Sequence, residues 1–296
     1  MHSAFANRFE ESLRRVRDFG ELVKFSHTVF LFPFALSAVV LAHGVKPLTL
    51  ATLGWIVLAL VSARSAAMIM NRIVDRRWDA LNPRTAGRPL ITGKVSPALA
   101  WTWLALACAG LVLAAAMLNP LCLAWSPVAL AWVLGYSFSK RFTVLCHLWL
   151  GSATALAPLG AWLAMTGAWD WRAMVLALAV ACWVAGFDVI YACQDIGFDR
   201  QHALRSLPAW LGVEGALWIS RGLHLAAAMG FMVLAPLFHL GPVYIVGAAA
   251  VTAALVAEQV LVAYKQANIP MAFFTVNGFI SIAYFLSLAA DRWLEV

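Results

Sequence analysis

Residues 171–200 read WRAMVLALAVACWVAGFDVIYACQDIGFDR. From Ala173 to Phe187 there is no charge and none of the apolar–polar alternation of a half-buried strand, so the segment reads as a helix with an apolar solvent on every side. A bilayer core takes about 20 such residues, at about 1.5 Å of rise each. Asp188 then interrupts the run, and Asp195 and Asp199 follow it. A carboxylate at that depth costs several kcal/mol unless a partner or a wet cavity receives it. At about 100° per residue the three acids project within about 40° of one another, so the helix carries a single acidic stripe.

A second stretch has the same design. The apolar run ending near residue 70 leads into NRIVDRRWDALNPRTAGRPL, residues 71–90, where Asn71, Asp75 and Asp79 project at about 0°, 40° and 80°. Both stripes are predicted at the same membrane face, because each closes an even-numbered span. They can therefore face each other across a cavity.

The rest of the chain fits this solvent. Hydrophobic residues make up 63% and charged residues 12% of the 296, with a mean hydropathy of +0.83. Soluble domains carry about 25% charge, so a soluble globule is excluded. The net charge of +7 lies in short clusters between apolar blocks, which argues against a nucleic-acid partner and against disorder. Apolar windows fall at about 24–43, 49–71, 96–118, 120–137, 146–166, 172–194, 214–238, 242–263 and 271–290. The expected fold is all-α: a polytopic membrane protein with about nine transmembrane helices around a central cavity, forming one domain over 24–296. Residues 1–23, with Phe5, Phe9, Leu13, Val16 and Phe19 at helical spacing, read as an interfacial segment. Most of the 21 Lys and Arg fall in the N-terminus and the loops after even-numbered spans, which places those parts in the cytoplasm and suits a bacterial inner membrane. The five cysteines show no metal-ligand spacing and read as small core residues.

Asp75 and Asp79 alone could be interfacial ion pairs with neighbouring arginines; Asp188, deeper in its span, does not fit that reading. Clustered carboxylates with an amide are hard oxygen ligands suited to Mg²⁺, which completes its shell with water and phosphate oxygens. Two stripes could hold two ions with a diphosphate between them. The bases Lys24, Arg72, Arg84, Arg88, Lys140 and Arg141 would balance the remaining phosphate charge.

At this point the sequence resembles the UbiA superfamily of intramembrane prenyltransferases. NRIVDRRWD (71–79) fits its NxxxDxxxD motif, RTAGRPLITG (84–93) the stretch after it, and DVIYACQDIGFDR (188–200) its second aspartate motif. LVKFSHTVFLFPFAL (22–36), YSFSKRFT (136–143), HLWLG (147–151) and APLGAW (157–162) also look like this family, most like its 4-hydroxybenzoate polyprenyltransferase branch. The resemblance implies that Asn71, Asp75 and Asp79 bind one Mg²⁺ and Asp195 and Asp199 a second, with Asp75 and Asp195 the key catalytic carboxylates. It implies that Lys24, Tyr136, Lys140 and Arg141 lie at the diphosphate, where Arg72, Arg84 and Arg88 are further candidates by charge, and that Arg64 and Asp188 match a buried arginine and a further acid, the candidates for the aromatic acceptor. Arg72 is a departure, since several relatives have Asp there.

The expected reaction is transfer of a polyprenyl group from its diphosphate to an aromatic acid, in ubiquinone or, with a dihydroxynaphthoate, menaquinone biosynthesis. Membrane lipid surrounds the reaction, and no protein partner is inferred. Phe30, Phe34, Trp149 and Tyr191 are candidates to face an allylic cation. Arg64 either holds the acceptor's carboxylate or pairs with Asp188 as a tie between spans two and six. An ion-coupled transporter is the rival of a different class, but it would place its acids near the midplane on broken helices.

Overall fold

The computed structural model describes residues 17–23, 32–264, 269 and 275–294. Lys24, Phe30 and most of the expected interfacial segment lie outside the described residues; 17–23 is helical. The helices are α1 (Phe32–His43), α2 (Leu50–Leu81), α3 (Pro97–Leu118), α4 (Pro120–Gly135), α5 (Cys146–Thr166), α6 (Trp171–Ala192), α7 (Ile196–Gln201), α8 (Leu207–Phe238), α9 (Pro242–Tyr264) and α10 (Asn277–Leu294). A 3-10 turn, Tyr136–Arg141, follows α4, and another, Cys193–Asp195, links α6 to α7. No strand occurs among the described residues. Among the described residues seven helices are long and apolar enough to cross a membrane, against the nine windows: α1 has 12 described residues, and α10, with 18, carries Asp291 and Arg292 in its last turn.

Local chemistry sets the boundaries. Thr49, Ser96 and Ser206 accept N–H bonds at the starts of α2, α3 and α8, and Pro follows the cap in α3 and α8, where its missing N–H costs nothing. Asn119 does two jobs between α3 and α4. Its backbone closes the first helix, its Oδ1 accepts the Cys122 N–H (2.9 Å), and its Nδ2 donates to the Leu163 carbonyl (2.8 Å). That explains how so short and Pro-flanked a span is held. The seventh window was expected to begin at 214. The helix in fact begins at Leu207 and bends at Gly212, whose φ of 74° an L side chain rarely adopts.

α6 is the centre of the molecule, packed against α5 on one side and α8 on the other. Its Trp183 meets Phe34 of α1 and Phe187 of its own helix, while Phe34 also stacks on Phe231 of α8 and touches Tyr284 of α10. At Gly151 of α5 a Cβ would lie 2.3 Å from the Ala181 carbonyl oxygen, so the α5–α6 seam is close enough to demand glycine.

Candidate active site

A chamber of about 1390 Å³ opens between α2, α3, α4, α5 and the end of α6. Its apolar walls include Ile56, Leu60, Leu111, Leu118, Val133 and Leu156, and its polar residues include Arg64, Asn71, Arg72, Arg84, Arg88, Tyr136, Asp188 and Tyr191. Two of the aromatic candidates are elsewhere. Phe34 is fully buried in the core cluster, and Trp149 stacks on Trp132 at 4.8 Å with its indole N–H on the Trp132 carbonyl. Trp125, Trp132 and Trp169 line the chamber instead. Hydrophobicity alone says that a ring avoids water; it does not say whether the ring meets core, lipid or void.

At one end the two acidic stripes meet a ring of bases. Arg141 donates to Asp75 Oδ1 (3.0 Å) and to the Val74 carbonyl (2.9 Å), and lies 4.5 Å from the Trp78 ring centre. Asn71 Nδ2 donates to Asp75 Oδ2 (2.7 Å), while its Oδ1 accepts from Arg72 (3.2 Å), a buried arginine. Arg88 pairs with Asp79, whose carbonyl accepts the Thr85 hydroxyl. Across the chamber Arg84 forks onto Asp195, Nε to Oδ1 at 3.2 Å and Nη2 to Oδ2 at 2.5 Å, and its Nη1 donates to the Tyr191 hydroxyl at 2.7 Å. Asp199 takes Lys140 Nζ (3.3 Å) and the Ser206 hydroxyl (2.8 Å).

The stripes thus share one end of the chamber, but they meet through bases and not through each other. Among the described residues no three His, Cys, Asp or Glu side chains converge. Four carboxylates packed together without cations would repel, and the interposed guanidinium and ammonium groups relieve that. The donors are all oxygen, the set a hard divalent cation prefers, and they flank a cavity lined with guanidinium groups, so the residues fit Mg²⁺ with a diphosphate.

Deeper in the chamber, Arg64 and Asp188 both line the wall but do not pair with each other. Asp188 instead accepts from His147 Nδ1 at 2.6 Å, and the buried Nε of Arg64 has no partner among the described residues. This overturns the α2–α6 tie considered for Arg64. Tyr136 lies within electrostatic reach of Arg64, Asp75 and Asp188.

The UbiA prenyltransferase family matches residues 30–287. The chain belongs to that family. It is a prenyltransferase, and the transporter reading falls. A 4-hydroxybenzoate octaprenyltransferase of Pseudomonas aeruginosa (strain LESB58) is 31% identical over 291 residues, 95% of each chain. A UbiA homologue of Aeropyrum pernix K1, solved in apo form, superposes with a TM-score of 0.83 at 36% identity, covering 90% of this chain and 98% of that one. A UbiA homologue of Archaeoglobus fulgidus bound to DMAPP and Mg²⁺ has a TM-score of 0.71 at 19% identity, covering 92% and 99%.

Membership, together with the seven apolar helices, makes this prenyltransferase an integral membrane protein. Two of its site neighbours escaped the sequence reading. His147 showed no ligand spacing, because its partner Asp188 is 41 residues away. Ser206 carried no signal of its own: it caps α8, and the same hydroxyl also holds Asp199.

Proposed function

We propose that this prenyltransferase joins the polyprenyl group of a polyprenyl diphosphate to an aromatic acid of the 4-hydroxybenzoate type, with Mg²⁺ as cofactor. The observation that carries the reading is Arg64: a guanidinium in the wall of an apolar chamber, with no anionic partner of its own among the described residues. It lies seven residues before Asn71, roughly 10 Å deeper than the base-lined end. An aromatic carboxylate set beyond a diphosphate would meet it there. The Pseudomonas relative, named for 4-hydroxybenzoate, and the Archaeoglobus neighbour, bound to an allylic diphosphate and Mg²⁺, support the same reading.

Asn71, Asp75 and Asp79 would hold one Mg²⁺, and Asp195 and Asp199 a second; when bound, the metal supplies charge neutralisation of the departing diphosphate. Arg72, Arg84, Arg88, Lys140 and Arg141, with Lys24 and the Tyr136 hydroxyl, bind phosphate oxygens. Each of Arg84, Arg88, Lys140 and Arg141 gives up or shares an acid now held in an ion pair. The chamber excludes water from the allylic cation, and Tyr191, its hydroxyl fixed by Arg84, presents a ring beside the leaving group. Arg64 turns the acceptor so that a ring carbon faces the cation, the new C–C bond replaces that carbon's C–H as the ring loses a proton, and Asp188 accepts a hydrogen bond from the acceptor's hydroxyl. The fold is read as one domain over 24–296 behind an interfacial segment, 1–23. The N-terminus and the aspartate motifs face the cytoplasm of a bacterial inner membrane, as the distribution of Lys and Arg supports.

The test is turnover by the purified protein in lipid nanodiscs with Mg²⁺, a polyprenyl diphosphate and each aromatic acid in turn. Prenylated 4-hydroxybenzoate, lost with EDTA and restored by Mg²⁺, is the expected result. Product from a dihydroxynaphthoate alone moves the enzyme to the menaquinone branch, and full activity after exhaustive chelation overturns the metal assignment. Arg64→Lys keeps the charge and loses the planar fork, so it is expected to raise the KM for the acid while leaving that for the diphosphate unchanged.

A further inference from the structure

Five acids lie on the two stripes, and four of them face a lysine or arginine. Asp188 is different. Its partner among the described residues is the His147 imidazole, at 2.6 Å. His147 stands in the first turn of α5 with no exposed surface, while the Asp188 side chain keeps 20% of its own and lines the chamber. The Leu207 amide N–H points at the other ring nitrogen, Nε2, at 3.4 Å. Nδ1 therefore carries the proton that it donates to Asp188.

Leu207 opens α8, and Ser206 before it holds Asp199 through its hydroxyl. Two consecutive residues therefore support both halves of the second stripe: Ser206 fixes Asp199, and Leu207 fixes the ring that fixes Asp188. The imidazole N–H engages one carboxylate oxygen, Oδ2, and fixes the orientation in which Asp188 lines the chamber.

We propose that His147 is a positioning residue that holds Asp188 turned into the chamber as a hydrogen-bond acceptor for the aromatic acceptor's hydroxyl. The inference rests on the acceptor reading given above. A merely structural His147 would clamp α5, α6 and α8 together without bearing on the acceptor.

The experiment compares His147→Leu, which removes both hydrogen bonds, with His147→Gln, whose carboxamide offers one donor and one acceptor and can serve both. In nanodiscs, His147→Leu is expected to lower kcat/KM for the aromatic acid by about 10- to 100-fold, with the KM for the prenyl diphosphate within about twofold of the parent. His147→Gln is expected to restore it to within about threefold. On an Asp188→Asn background His147→Leu should cost less than about a further threefold, because the group it acts through is already altered. Gln and Leu variants equally impaired with equal falls in Tm, or a fully additive double variant, overturn the proposal. A second measurement does not depend on turnover: ¹⁵N-imidazole NMR of the full chain should show a hydrogen-bonded Nδ1 proton on His147 whose signal Asp188→Asn shifts. A His147 signal unmoved by Asp188→Asn overturns the proposal even if no aromatic acid is turned over. Absence of turnover in the parent, with the NMR signature present, fails the acceptor reading and leaves the His147–Asp188 positioning standing.

Discussion

The span formed by α4 with its following turn and the span that contains α6 are both apolar enough to cross a bilayer, yet 17% of one apolar window and 67% of the other is buried inside the protein. The difference is between a helix that walls the chamber and the helix at the centre of the molecule. Helices α2 to α5 wall a chamber, so each gives one face to a void and another to lipid. Helices α8, α9 and α10 close on α6 and on one another, with most of their polar groups spent on packing, while the last turns of α6 carry Asp188 and Tyr191 to the chamber. Glu258 of α9 is fully buried and accepts from Asn277 Nδ2 (2.9 Å), and the Trp183 indole donates to Asn277 Oδ1 (2.7 Å). Asp291 accepts the N–H groups of Gly241 and Tyr244, closing the start of α9. An acid in the packed half is a strut. The chamber-end acids Asp75, Asp79, Asp195 and Asp199 are matched to side-chain bases that a phosphate can draw away.

The sharpest way to break this division is to remove one acid from each kind of site. Asp75→Asn or Asp195→Asn should lower turnover by at least about 10²- to 10³-fold, with Tm little changed, because each faces an exposed or half-exposed base and supports no core contact. Near-normal turnover in either would cancel the metal assignment and the comparison with it. In the packed half Asn277→Leu should do the opposite: it strands Glu258 and the Trp183 N–H, at about 1–3 kcal/mol for each group left unsatisfied. Thermal unfolding should show a clear fall in Tm, with turnover per folded molecule within about twofold of the parent. A loss of turnover at unchanged Tm would put Asn277 in the chemistry.

The seam between the halves tests both readouts together. Gly151→Ala sets a methyl group against the Ala181 carbonyl, and overpacking of this kind costs about 1–3 kcal/mol. A fall in Tm accompanied by a higher KM for the acceptor is expected, since α5 also carries His147 and chamber-lining residues. A change in one readout without the other would mean that the halves are less coupled than the seam implies.

The smallest effect belongs to the end of the bundle away from the aspartate motifs. There Asp170 caps α6 and is held below the usual carboxylate range, first by its side-chain hydrogen bonds to Arg172. A depressed folded-state value contributes stability above the unfolded value of about 4 and loses it as pH falls through the folded one. The pair is partly exposed, so less than about 1 kcal/mol is at stake. Asp170→Asn should keep the cap and flatten this shallow acid limb in Tm measured between about pH 6 and 3.

Much of this was legible in the residues, for a physical reason. Helical spacing fixes which side chains share a face, so the Asn71–Asp75–Asp79 and Asp195–Asp199 stripes and their common end could be read from numbers alone. Partner choice could not. Asp188 bonds across 41 residues, Trp183 across 94, and Arg84 across 111, distances at which local periodicity carries no information. The expectation that Phe34 faces the cation failed in the same way, because its contacts come from α6, α8 and α10.

A wall one helix thick has a further consequence. A bulkier side chain on the chamber face of α4 finds yielding lipid behind its helix, whereas enlargement on α6 meets Trp183 and the rigid aromatic cluster around it. The chamber can therefore be reshaped from one side at little risk to the fold. Variation in substrate range should accumulate on α4 and the lipid-facing half of α3, while α6 drifts slowly.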